Sequence, residues 1–159
     1  MTDEVKIQHA RAMYEKTKEM LNEKGVQFHV DDEKMMINFL IGGDDIPMDI
    51  YIISDAGGQK LRMLSKMPVT VDPEKMIEMA TAVCIANNGL YMGNFDYVVT
   101  EGMIFFVIQQ SYLDTDLSKE LIDLMVAATI DSVDKYNDRF LMLNKGMLTL
   151  EKFIEMEQQ

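Results

Sequence analysis

Apolar residues recur along residues 3–24 at the spacing of a helix. Ile7, Ala10, Met13, Tyr14, Thr17, Met20 and Leu21 make one stripe, because positions three and four apart share a helix face. Thr2 or Asp3 can cap the start, Asp3 and Glu4 favour the positive end, and Lys24-Gly25 gives a stop. The period then changes. Residues 26–30 and 34–41 read as strands about the acidic corner Asp31-Asp32-Glu33, and Gly42-Gly43-Asp44-Asp45 turns the chain again. Residues 48–54 and 60–66 read as two more strands about Asp55-Ala56-Gly57-Gly58. A parallel connection needs a dozen or more residues, so these short turns demand an antiparallel meander.

Asp72-Pro73 opens a second helix, with Asp as the cap and Pro in the first helical position. The spacing puts Met76, Ile77, Ala80, Val83, Cys84 and Asn87 on its inner face, and Asn88-Gly89 closes it. A hairpin follows: residues 93–100, a Glu101-Gly102 turn, then residues 103–112. Ser118 caps a long helix running to about Leu143, and a short helix over residues 148–157 ends the chain. The expected fold is one α+β domain over residues 1–159. An antiparallel sheet, meander plus hairpin, packs with helices in the order α-ββββ-α-ββ-α-α.

Two segments are too apolar for so small a sheet. In residues 103–108 both alternating faces are apolar: Met103, Phe105 and Val107 on one, Ile104, Phe106 and Ile108 on the other. A strand wetted on one side would alternate with polar residues. Residues 121–130 are apolar nearly all round, as in a helix buried on more than one side. A second copy on the open face is the expectation, since symmetric dimers are the commonest oligomers. The alternative is a strand covered by the terminal helix of its own chain.

Composition narrows the function. Twenty-seven acids against 15 bases give a net charge of −12, which repels nucleic-acid phosphates and anionic lipid. The one cysteine excludes an internal disulfide framework, and no secretory h-region follows Met1. A cytoplasmic setting is expected. Sixteen methionines are spread along the chain. They read as core filler, with an adaptable binding groove as the alternative.

Motifs for chemistry fail one by one. Asp114-Thr115-Asp116 starts like a calcium loop, but Lys119 stands where Gly is required and Met125 where Glu is. Asp44, Asp45 and Asp55 do not make a receiver pocket, which needs helices between parallel strands. His9, His29 and Cys84 are too few for a zinc site, and Cys84 reads as an inert core thiol. No nucleophile elbow, Walker loop or dinucleotide fingerprint is present. No catalytic residue, cofactor site or metal ligand is assigned, and no partner-contacting residue is chosen. Asn87 reads as a lock between helix end and hairpin, with a ligand contact as the alternative.

The segments Ala86-Asn87-Asn88-Gly89-Leu90, Gly93-Asn94-Phe95-Asp96 and Glu101-Gly102-Met103-Ile104-Phe105-Phe106, with the helix from Ser118 through Tyr136, resemble the YbjN-type domain family. Its members are labelled bacterial sensory transduction regulators, and their fold resembles the type III secretion chaperones. The resemblance spans residues 4 to 145. The strand near Lys60 departs from the simplest chaperone topology. The resemblance implies an α+β fold, dimers, and protein binding without catalysis or cofactor. The expected partners are a second copy and another protein or peptide. A second reading is a small-molecule binder or weak enzyme whose pocket lies between sheet and long helix, with Asn87, Tyr97, Tyr112 and Tyr136 supplying polar groups.

Overall fold

The computed structural model describes residues 1–159. Helix α1 (Asp3–Glu23) precedes strands β1 (His29–Asp31), β2 (Met36–Ile41), β3 (Met48–Asp55) and β4 (Lys60–Thr70). A 3-10 turn at Pro73–Lys75 leads into α2 (Met76–Asn88), followed by β5 (Asn94–Val98) and β6 (Met103–Ser111). Helices α3 (Lys119–Asn144) and α4 (Leu150–Glu157) complete the chain. The six strands form one antiparallel sheet in the order β1-β2-β3-β4-β6-β5. The meander is as expected. The hairpin joins through its second strand, so β5 becomes an edge. This is an α+β arrangement of six strands and four helices.

Alternation assigns one face of the sheet to the core. Ile37, Phe39, Ile50, Ile52, Leu61, Met63, Ile104 and Phe106 are all buried. Helices α1 and α3 lie across them, and α2 packs against β5 and α3. Side-chain caps begin three of the helices: Thr2 accepts from the amide of Val5, Ser118 from that of Leu121, and Thr149 from that of Lys152. Each satisfies one of the free N–H groups that a helix start leaves.

The structure corrects four expectations. Strand β1 is three residues long because the chain spends residues 24–27 leaving α1. Gly25 takes φ 72° and the Val26 amide reaches back to the Leu21 carbonyl at 3.0 Å, a closure that suits glycine. Strand β4 runs on to Thr70, with an irregularity between Lys66 and Thr70. Helix α2 buries Met79, Ala82, Val83 and Ala86, leaving Ile77 and Cys84 exposed. Its sequence is apolar nearly all round, so periodicity leaves its rotation open, and the packing against β5, α3 and α4 sets it. Cys84 is therefore a surface thiol. Finally, α3 over residues 121–130 is buried against sheet and α1 but leaves Leu124 and Ala127 outside.

The methionines are mostly filler. Eight are buried, among them Met13, Met63 and Met125, and the exposed ones, Met1 and Met147, lie far apart in the sequence. They form no groove.

Candidate functional site

The sheet has a second face that the helices leave open. Register fixes its rows. Tyr51, Leu64 and Val107 stand side by side on β3, β4 and β6, flanked by Asn38 and Asn94. Phe105 lies between Lys66 and Asp96 in the next row, and Ile53 beside Arg62 in the row before. Val107 is only 7% exposed although no helix covers it. Met103, Phe105 and Val107 do stand on this face of β6, partly shielded by neighbouring side chains, and α4 does not cover them, because α4 packs against α2.

This face is also electrically unlike the rest of the chain. Across β3, β4, β5 and β6 it carries Asp49, Asp55 and Asp96 against Lys60, Arg62 and Lys66. Over these four strands it is neutral, and Asp31 on β1 adds one acid, in a chain of net charge −12. Arg62 borders an open depression of about 260 Å³ with Leu64, Asp96, Val98, Phe105 and Val107. Its buried Nε has no hydrogen-bond partner within the chain. A buried donor without a partner carries a desolvation cost.

The two edges of the sheet differ. At β5, the side-chain amide of Asn87 copies a neighbouring strand. The Phe95 amide donates to Asn87 Oδ1 at 2.7 Å, and Asn87 Nδ2 donates to the Phe95 carbonyl at 3.1 Å. Asn87 is thus the lock that its position on α2 implies. It occupies the outward backbone groups of Phe95 and so hinders strand addition there. At the other edge, β1 pairs with β2 only over residues 36–38. Strand β2 runs on through Ile41, and Leu40 is 69% exposed. An open depression of about 490 Å³ lined by Phe28, His29, Asn38 and Leu40 lies beside it. That edge is free to receive an extended segment.

The polar residues of the small-molecule reading do not converge. Asn87 is committed to Phe95. The Tyr112 hydroxyl donates to the Asp55 carbonyl at 2.9 Å and lies 3.1 Å from Ser54 Oγ. The Tyr136 hydroxyl donates to Glu157. Burial raises both tyrosines above their ordinary value, and for Tyr136 the Glu157 carboxylate adds to the rise. Tyr97 lies on the helix-facing side of β5, opposite Ile104, and burial raises it too.

Histidines and acids have structural places. His9 Nδ1 lies 3.1 Å from Gln59 Oε1, and its Nε2 3.0 Å from Asp116. This ties α1 to the β3–β4 turn and to the chain before α3. His29 is exposed. No three His, Cys, Asp or Glu side chains gather as a metal site. No helix is long and apolar enough to cross a membrane.

Sequence reasoning missed two groups. Gln59 is buried at φ 46°, and its amide donates to the carbonyls of Lys6 and Ala56. Its signal, a polar residue after a Gly-Gly turn, is too common to single out. Arg62 was hidden among the ordinary polar positions of an alternating strand.

Comparison with known proteins agrees with this architecture. The solved structures it resembles include the ExsC-ExsE complex, at TM-score 0.60 and 13% identity, over 81% of this chain and 93% of that one. YbjN from E. coli aligns at TM-score 0.59 and 12% identity, over 83% and 91%. The HopA1-SchA chaperone-effector complex aligns at 0.58 and 12%, over 87% and 99%. At such identities the likeness is one of fold. A search of the curated proteins found no match. Residues 17–142 match the family described as "Putative bacterial sensory transduction regulator", and the chain belongs to that family, YbjN.

Proposed function

We infer that this chain is a non-catalytic, chaperone-like protein-binding domain that acts as a homodimer through the open face of its sheet. The observation that carries the reading is that face: near neutral, apolar at Leu64, Phe105 and Val107, with Arg62 among them. Two of the similar solved structures are complexes of two different proteins, ExsC with ExsE and HopA1 with SchA, which supports protein binding as the activity of this fold.

A second copy suits the face by charge and by size. A two-fold axis brings the cations Arg62 and Lys66 of one copy within reach of the acids Asp49 and Asp96 of the other. A symmetric interface must be complementary to itself. Six strands about 4.8 Å apart and roughly 25 Å long present about 650 Å² per copy, near the lower end of standard interfaces. The free β2 edge beside Leu40 is left for a partner segment, which adds as a strand.

Light scattering during gel filtration tests the dimer. The chain should elute at twice its 18.2 kDa mass, and Leu64→Glu should return it to the monomer mass while the fold is kept. A wild-type monomer from 1 µM to about 200 µM refutes the dimer. For partner binding, a stoichiometric protein that copurifies from the native host should be lost from Leu40→Lys, which puts a charge on the open edge. Retention of that protein would place the partner elsewhere.

A further inference from the structure

The C-terminal helix is held by an aromatic plug and a buried carboxylate, with Leu148 and Leu150 partly buried beside them. Helix α4 is eight residues long, and Phe153 is its one fully buried residue. A helix of that length does not persist alone in water. The Phe153 ring stacks on Phe140 at 6.0 Å and 14°, with Tyr136 at 6.2 Å. Phe95 closes the far side, edge-on to Tyr136 and Phe140 at 5.2 Å each. One turn further along α4, the Glu157 side chain is 8% exposed. It accepts from the Tyr136 hydroxyl, from Lys135 Nζ at 3.1 Å and from the Arg139 guanidinium. Phe153 and Glu157 are four residues apart and so share one helix face.

We propose that the cleft between α2 and α3 is a helix-docking site and that α4 is its tethered, displaceable occupant. The ligand it takes is an acidic amphipathic helix carrying Phe and, four residues later, a carboxylate. Three observations support this beyond the contacts themselves. The tether, residues 145–149, is five residues long and bends at Gly146 with φ 69°. Such a link holds α4 near its seat at roughly millimolar effective concentration, so weak contacts suffice to keep it there. Helix α4 takes no part in the pairing of the sheet, so its departure breaks no ladder. The cleft also presents Lys135 and Arg139 together, a cationic pair in a chain of net charge −12, and therefore selects for acid. Without α4 the cleft has the makings of a helix-in-groove receptor: an aromatic floor, two cations and a tyrosine hydroxyl at one end. This site lies on the helical layer and does not depend on the open sheet face.

The probe is a fluorescein-labelled peptide of residues 147–159, added to the full-length chain and followed by anisotropy. Wild type should bind it weakly, because the tethered copy competes. Full-length Phe153→Ala empties the plug and should bind the peptide at least tenfold more tightly. Adding Arg139→Glu to that variant should abolish the gain. A Phe153→Ala chain with native circular dichroism that binds no better than wild type overturns the proposal, as does binding indifferent to Arg139→Glu. Should Phe153→Ala not fold, hydrogen exchange on wild type decides. Amides of α4 must exchange at least tenfold faster than those of central α3, and equal protection overturns displacement. A wild-type dimer that survives Leu64→Glu but not Phe153→Ala would mean that α4 is exchanged between copies, which overturns the intramolecular tether.

Discussion

Asn87 offers the sharpest test of how the sheet is closed. Asn87→Ala removes both hydrogen bonds to the Phe95 backbone. Each such bond contributes about 1 kcal/mol net, so the loss is about 2 kcal/mol. At roughly 2.1 cal/mol/K per residue the 159-residue chain has an unfolding entropy near 330 cal/mol/K. The melting temperature should therefore fall by about 6 °C. Asn87→Asp separates the two bonds. A carboxylate still accepts from the Phe95 amide but cannot donate to the Phe95 carbonyl, and it sets two acceptors face to face. At neutral pH this variant should be at least as destabilised as Asn87→Ala. Protonation restores the missing donor, so the folded state holds the proton more tightly than the unfolded chain. The recovered stability is full below the ordinary carboxyl value near 3.9 and is lost as pH rises above it. Calorimetry from pH 3.5 to 7 on both variants reads the effect as their difference. Asn87→Ala within 1 °C of wild type, or two variants with parallel pH profiles, would refute the edge-lock argument.

The remaining predictions are simpler. Gly93 sits at φ 76°, where a Cβ would lie 2.6 Å from Ile108 Cγ1 and 2.7 Å from Phe106 Cζ. Gly93→Ala should cost about 3 kcal/mol by urea denaturation, from backbone strain plus overpacking. Gly25→Ala, at φ 72° with open space around it, should cost only the backbone strain of about 1–2 kcal/mol. Equal costs would refute the packing term. Tyr14 and Tyr136 are raised above the tyrosine value of 10.0, chiefly by burial and then by Asp32 and Glu157. Their neutral forms belong to the fold, so this stability is full below pH 10 and is lost as pH rises beyond it. Melting temperature should drop above pH 10 together with delayed tyrosinate absorbance at 295 nm, and a full six-tyrosine titration with no unfolding would contradict it. Cys84 is exposed, and a thiol reagent should react with the native chain about as fast as with the denatured one.

The periodicities along the chain settle most of the secondary structure, because helix stripes and strand alternation are local consequences of geometry. They place α1, the meander, the hairpin and α3 to within a few residues. They also expose the surplus on β6, since two apolar faces on one strand are visible in Met103 through Ile108. Asn87 was legible as a buried amide needing a partner, and its position beside the hairpin named the neighbourhood. Other features were not legible. The rotation of α2, and with it the exposure of Cys84, depends on which of several apolar sides meets β5, α3 and α4. Arg62 becomes conspicuous only when pairing with β3 and β6 surrounds it and leaves Nε without a partner. The Glu157 clamp joins side chains about 20 residues apart around an aromatic plug. A sequence specifies what each short segment can bury. Which segments meet, and which polar groups are thereby stranded or satisfied, is decided only when the whole chain packs at once.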